Sequence, residues 1–400
     1  DVERSRGLGD VYKRQKQPII ISGGGVLYSE AEQELSKFAK KHNIPVTSTV
    51  MGIGCMTKDD PYYISAVGAL GEGSSNSLSK DTDLALAIGT KLADFTTGSW
   101  ANFENPNFKL VSVNTARYDT TKHLATPVIS DAKVGLQKIS EALGDWKAPD
   151  DWYKRAIKEK NEWDAYVEKQ SGPTNQEEPS YAHAVGAVYR NSDPSDIVVT
   201  AAGGLVGEVV QVWKPKQLNT FETEWGFSCM GYEISGALGI KMAKPDQDVV
   251  VFVGDGSYLL NNTDIYSSVI YEQMLIIIVC DNGGHMVINR LQLAKGGKEY
   301  ICNLRAARAT NLKFVDFENH AKSMGANAET VSSTSELEAA YKRAKDSDKT
   351  YVITIKTHGY EWLEGTAFWE SPTLQDPITD NNKNALEDFE SGKSKQRKGV

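Results

Sequence analysis

The sequence predicts an α/β protein made of two doubly wound domains, each a parallel sheet with helices on both faces. Three observations predict it. Short apolar runs alternate with stretches of helical period, several runs end in glycine-rich corners, and a charged, breaker-rich stretch in mid-chain divides the alternation into two series. A length of 400 residues fits two or three domains of about 100–200 residues each.

The opening DVERSRGLGDVYKRQ has no hydrophobic period, and residues 1–15 read as a non-native leader. From Gln17, PIIISGGG is a short buried strand with a glycine turn, and SEAEQELSKFAKKHN places its apolar residues at helical spacing. IPVTST, DLALAIGT and KLVSVNT follow as strands, and DAKVGLQKISEALG closes a central domain over 16–144. Residues 145–180 form the connection: a charged helix carrying Trp152 and Trp163, then the loop SGPTNQEEPS. The second domain, 181–370, opens with the helical SYAHAVGAVYR and continues through the strand runs DIVVTAAGG, DVVVFVGDG, MLIIIVCDNGG and TYVITIKTHGY. Residues 371–400 are a polar, partly helical tail, and its basic end SGKSKQRKGV reads as a solvated terminus.

Composition excludes several classes of function. With 44 Lys+Arg against 53 Asp+Glu and a formal charge of -9, the chain has no electrostatic footprint for nucleic acid. Cys55, Cys229, Cys280 and Cys302 are far apart and form neither a disulfide framework nor a zinc knuckle, which points to the reducing cytoplasm. No apolar run approaches the roughly 18 residues of a membrane span. There is no G-x-S-x-G elbow and no P-loop, and G-G-G-V after the first strand is not the G-x-G-x-x-G of a dinucleotide site.

The chemistry gathers at two corners. Gly254-Asp255-Gly256-Ser257 ends one apolar run, Asp281-Asn282-Gly283-Gly284 ends the next, and about 25 residues lie between Gly256 and Asn282. That interval holds a helix and a return strand, so a right-handed crossover puts both corners on the carboxyl edge of one sheet, where open α/β sheets bind ligands. Asp255 offers a carboxylate oxygen, Asn282 an amide oxygen, and the glycines a backbone carbonyl, a hard oxygen set suited to Mg2+. Gly254 and Gly256 permit a tight turn whose N–H groups, at a helix start, can receive phosphate oxygens. A lone G-D-G is an ordinary turn; the second corner at a matched strand end makes the pair a diphosphate site held through magnesium.

G-D-G followed some 25 residues later by Asn resembles the signature of the thiamine diphosphate enzymes. The resemblance implies that Asp255 and Asn282 bind Mg2+ with the carbonyl of Gly284, and that Gly256 and Ser257 contact the diphosphate. GFSCMGYEISGALG resembles the stretch that holds the aminopyrimidine: Met230 matches the apolar wedge between the cofactor's rings, and the Ser228 carbonyl matches the acceptor from the aminopyrimidine nitrogen. Gly203 and Gly204 in TAAGGL fall where another strand end touches the diphosphate. His285, next to the metal corner, is a candidate for proton transfer.

Within the family, DFTTGSWANFENPNFKLVSVN, KHLATPVISDAK and NALEDFESGKSKQRKGV are similar to the branch that opens a cyclic polyol 1,2-diketone by carbon–carbon hydrolysis in inositol catabolism. The rival branch is acetolactate-synthase-like or decarboxylating, and a non-catalytic cofactor-binding remnant is a third reading. The family likeness also implies a homo-oligomer, and a preceding domain whose Glu activates the cofactor. This sequence opens directly into the central domain, so the expectation is a fragment that binds diphosphate and Mg2+ but is close to inactive alone.

Overall fold

The computed structural model describes residues 14–397; residues 1–13, most of the expected leader, lie outside the described residues. The chain forms two six-stranded, all-parallel sheets. The first comprises β1 Pro18–Ser22, β2 Val46–Ser48, β3 Tyr63–Ala66, β4 Leu84–Ile88, β5 Lys109–Asn114 and β6 Thr126–Ile129, in the order β3-β2-β1-β4-β5-β6. The second comprises β7 Ile197–Thr200, β8 Phe221–Thr223, β9 Val249–Gly254, β10 Ile276–Asp281, β11 Asn327–Val331 and β12 Tyr351–Lys356, in the order β11-β12-β10-β9-β7-β8.

The interior strands are buried on both faces, which is why they read as unbroken runs of Val, Ile and Leu. Alternate residues feed opposite core layers. Val250, Phe252, Ile276 and Ile278 pack into one layer, and Val249, Val251, Val253, Ile277 and Val279 into the other. The first layer also takes in Val50, Ile53 and Ala66 from the first sheet's side, so the two sheets share a core.

The connection is a packed element. Its helix Asp150–Gln170 buries Trp152 and Ala156 with the first sheet and Val167 in the shared layer. The Trp152 indole N–H donates to the Pro18 carbonyl at 2.8 Å, and the Trp163 ring lies where a side chain on Gly73 or Gly365 would have to go.

The basic end of the chain is not a solvated terminus as far as Arg397. Helix Asp380–Ser394 buries Ala385 and Phe389, the Gln396 amide donates to the Ser99 carbonyl at 3.0 Å, and the Arg397 guanidinium lies 4.6 Å above the Phe108 ring. The composition of the stretch is polar, but its few apolar residues sit on one helical face and find a partner.

The two sheets differ at their switch points, where the strand order reverses. In the first, the order matches that of dinucleotide-binding sheets, yet the turns after β1 and β4 press backbone on backbone: a Cβ on Gly25 would lie 2.6 Å from the Gly89 Cα. The G-G-G-V stretch runs straight into the short helix Gly24–Tyr28 instead of ending in a plain turn. In the second sheet the reversal falls between β7 and β9, whose pairing ends at Val199 and Val251 while β9 runs on to Gly254.

Candidate cofactor and metal site

That second switch point opens into a cleft of about 220 Å³. Gly203, Gly204, Ser228, Met230, Gly254, Asp255, Gly256, Ser257, Asn282, Gly284 and His285 all line it. These residues come from four separate stretches of chain, after β7, before the helix Tyr232–Ala243, and at each of the two acid corners.

Register explains why the corners meet. Parallel pairing sets Cys280 beside Gly254, so Asp255 and Asn282 leave neighbouring strands at nearly the same height. The Gly284 N–H donates to Asp255 Oδ2 at 2.7 Å, tying one corner to the other. Helix Asp255–Leu260 begins at the first corner, and its first N–H groups, those of Asp255 and Gly256, turn to the Asp255 carboxylate.

Two side chains there are buried at an energetic cost. Asn282, 6 % exposed, donates from Nδ2 to the Tyr181 hydroxyl at 2.5 Å, while its Oδ1 has no partner among the described residues. An unpaired buried amide oxygen costs about 1–3 kcal/mol. Burial, reinforced by the neighbouring Asp281 charge, pushes the Asp255 carboxyl up to about 7, against the pull of the Gly284 and Gly256 N–H groups. A cation between Asp255 and Asn282 would relieve both, and these groups with the Gly284 backbone could hold an oxygen-coordinated divalent ion. Among the described residues no group of three or more His, Cys, Asp or Glu is placed for a metal, so such an ion would draw on one carboxylate, one amide and a backbone carbonyl.

Three of the glycines allow close packing around the cleft, and one borders open space. A Cβ on Gly256 would lie 2.7 Å from the His285 imidazole, one on Gly204 would strike the Trp362 ring, and one on Gly284 would meet the Cys302 carbonyl at 2.4 Å. Gly203, at φ +78°, faces open space. Ser228 also has positive φ, +52°, and its hydroxyl donates to the Ala201 carbonyl at 3.3 Å. The Met230 side chain, 37 % exposed, reaches the cleft beside Gly256.

Sequence reasoning missed Tyr181 and Glu233. The buried Glu233 carboxylate accepts from the Gly231 N–H at 2.8 Å and the Ala202 N–H at 3.3 Å, and hydrogen-bonds the Ser257 side chain, stitching three of the four stretches together. An acid inside the small, apolar run MGYEISGALG was the available signal. Tyr181 had none beyond its place after a capping Ser.

Comparison with known proteins agrees with this architecture. Residues 10–139 match the family description "Thiamine pyrophosphate enzyme, central domain", and residues 201–355 match "Thiamine pyrophosphate enzyme, C-terminal TPP binding domain". The chain belongs to the thiamine pyrophosphate enzyme family. Among its curated relatives are proteins named 3D-(3,5/4)-trihydroxycyclohexane-1,2-dione hydrolase. Those from Geobacillus thermodenitrificans and Clostridium tetani are 32 % and 33 % identical over 92 % and 90 % of this chain, and each match covers 62 % of the relative. The one from Lacticaseibacillus casei is 30 % identical over 96 % of this chain and 64 % of its own length. The chain therefore spans a little over three-fifths of the relatives it matches. The cleft falls where the family's cofactor-binding domain matches, and its unpaired Asn282 oxygen, its buried Asp255 and its bare glycine walls fit a metal-bound diphosphate. No helix among the described residues is long and apolar enough to cross a membrane.

Proposed function

We propose that this chain is the central (16–144) and diphosphate-binding (181–370) part of a thiamine diphosphate-dependent hydrolase, joined through 145–180. The reaction is the ring opening of 3D-(3,5/4)-trihydroxycyclohexane-1,2-dione to 5-deoxy-glucuronate in the cytoplasm, with Mg2+ as the metal. The observation that carries the cofactor reading is the convergence of eleven residues from four stretches on one cleft at the switch point of the second sheet. The names of the relatives support the substrate.

In this reading Asp255 and Asn282 ligate Mg2+ through side-chain oxygens and Gly284 through its carbonyl. Gly254, Gly256 and Ser257 offer N–H and hydroxyl donors to the diphosphate, with Gly203 and Gly204 as its bare wall. The Ser228 carbonyl would accept from the aminopyrimidine, and Met230 would pack against the cofactor as an apolar wedge. When bound, the cofactor supplies a carbon nucleophile for one carbonyl of the diketone and an electron sink for the adjacent bond that breaks. His285, against Gly256 and lining the cleft, is the imidazole that could move a proton there. The exposed Leu259, Leu260, Tyr266, Ile270 and Tyr271 support a homo-oligomeric state.

Calorimetry of thiamine diphosphate binding with and without Mg2+ tests the site. The chain is expected to bind in a Mg2+-dependent manner and the Asp255→Ala variant to lose that binding; unchanged affinity in the variant overturns the assignment. In a preparation containing the remaining part of the enzyme, turnover of pyruvate in place of the cyclic diketone would move the substrate to the acetolactate-synthase-like branch.

A further inference from the structure

We infer that Tyr181 is the positioning residue that aims the Asn282 oxygen into the cleft. The inference rests on the cofactor reading above and adds to it a residue outside the two acid corners.

An asparagine amide presents two nearly identical ends, one a pair of N–H donors and the other an oxygen with two lone pairs. If the amide could turn freely, Asn282 would offer N–H groups to the cleft as readily as oxygen, and an N–H group repels a cation. The Tyr181 hydroxyl, 2.5 Å from Nδ2, occupies the nitrogen end. Oδ1 is left as the end without a partner, in a side chain that lines the cleft and is 6 % exposed.

The phenol is itself held. Tyr181 is 4 % exposed, its ring stands edge-on to Trp362 at 5.6 Å and 83°, and Trp362 in turn fills the space beside Gly204. Tyr181 is also the first residue of the helix Tyr181–Asn191, whose start is fixed by a reciprocal Ser180–His183 cap. A hydroxyl can accept from Nδ2 or donate to Oδ1; here it accepts from Nδ2, and a ring held by Trp362 and by the helix start keeps it beside the amide, so that a cation in the cleft would find the oxygen end already turned to it. Partners of this kind, one bond removed from the metal, commonly change metal affinity 10–100-fold when removed.

The experiment is a Mn2+ titration followed by electron paramagnetic resonance, on the whole chain with saturating thiamine diphosphate. Tyr181→Phe keeps the ring and removes the hydroxyl; it is expected to weaken Mn2+ binding about 10–100-fold and to lower the thermal midpoint in EDTA only by what one lost buried hydrogen bond explains, because Nδ2 loses its partner. In the Asn282→Ala background the same change is expected to cost nothing more, because its effect passes through the amide. Wild-type affinity in Tyr181→Phe overturns this inference and leaves the cofactor reading standing, as does an equal further loss in the Asn282→Ala background. A wild-type chain that takes up no Mn2+ overturns both.

Discussion

Glu208 shows how a single buried carboxyl sets the pH response near the site. It lies inside the helix Leu205–Val212, 3 % exposed, accepting from the Leu363 N–H at 3.1 Å, with its other oxygen unpaired among the described residues. Burial pushes it up to about 7, against that hydrogen bond and the Arg290 charge. Because its folded pKa lies above the ordinary 4.5, the folded chain binds more protons than the unfolded one between these values. Its contribution to stability is therefore fully present below about pH 4.5 and is lost as pH rises through about 7. Glu208→Gln cannot titrate. Urea unfolding should find it close to wild type at pH 5 and more stable at pH 8, by up to roughly 3 kcal/mol. A variant that is no more stable at pH 8 would show that Glu208 ionises at no cost. At this scale much of the site was legible: Asp255, Asn282 and the glycines stand in motifs whose spacing follows from strand–helix–strand geometry. Tyr181 was not, because its partner is 101 residues away in sequence and no local pattern encodes that contact.

Among elements, the strands that the sequence announced are the interior ones, continuous apolar runs buried on both faces. The four it did not announce, β3, β6, β8 and β11, are the four sheet edges. An edge strand is shorter or partly exposed and needs no unbroken apolar run, as TPVI and NAETV show. The helix Tyr181–Asn191 was legible by its period, and its cap carries a testable energy. Ser180 accepts from the His183 N–H, and His183 Nδ1 accepts from the Ser180 N–H. Ser180→Ala is expected to lose about 1 kcal/mol in urea unfolding; an unchanged midpoint would mean that tertiary packing alone sets the helix start.

Over the whole molecule, alternation of strand and helix gave the class and the division into two sheets, but not the way they are joined. The Lys214–Glu72 ion pair, the Trp163 ring between Gly73 and Gly365, and the shared core layer all bridge segments far apart in sequence. The tail belongs to this scale too. Deleting residues 378–400 removes the Phe389 contact with Phe368 and uncovers Phe108, so differential scanning calorimetry should show a midpoint several degrees lower, at roughly 2–4 °C per kcal/mol. An unchanged midpoint would make the tail an ornament on the fold.

The packing of that tail has a consequence in time. The Gln396 amide closes on the Ser99 carbonyl across 297 residues. At about 5–20 residues per second of synthesis, roughly 15–60 s separate the emergence of the two partners. Until the tail emerges, the Phe108 ring lacks the Arg397 guanidinium that lies over it in the finished chain. The tail is thus laid last, onto a sheet whose six strands were all made well before it.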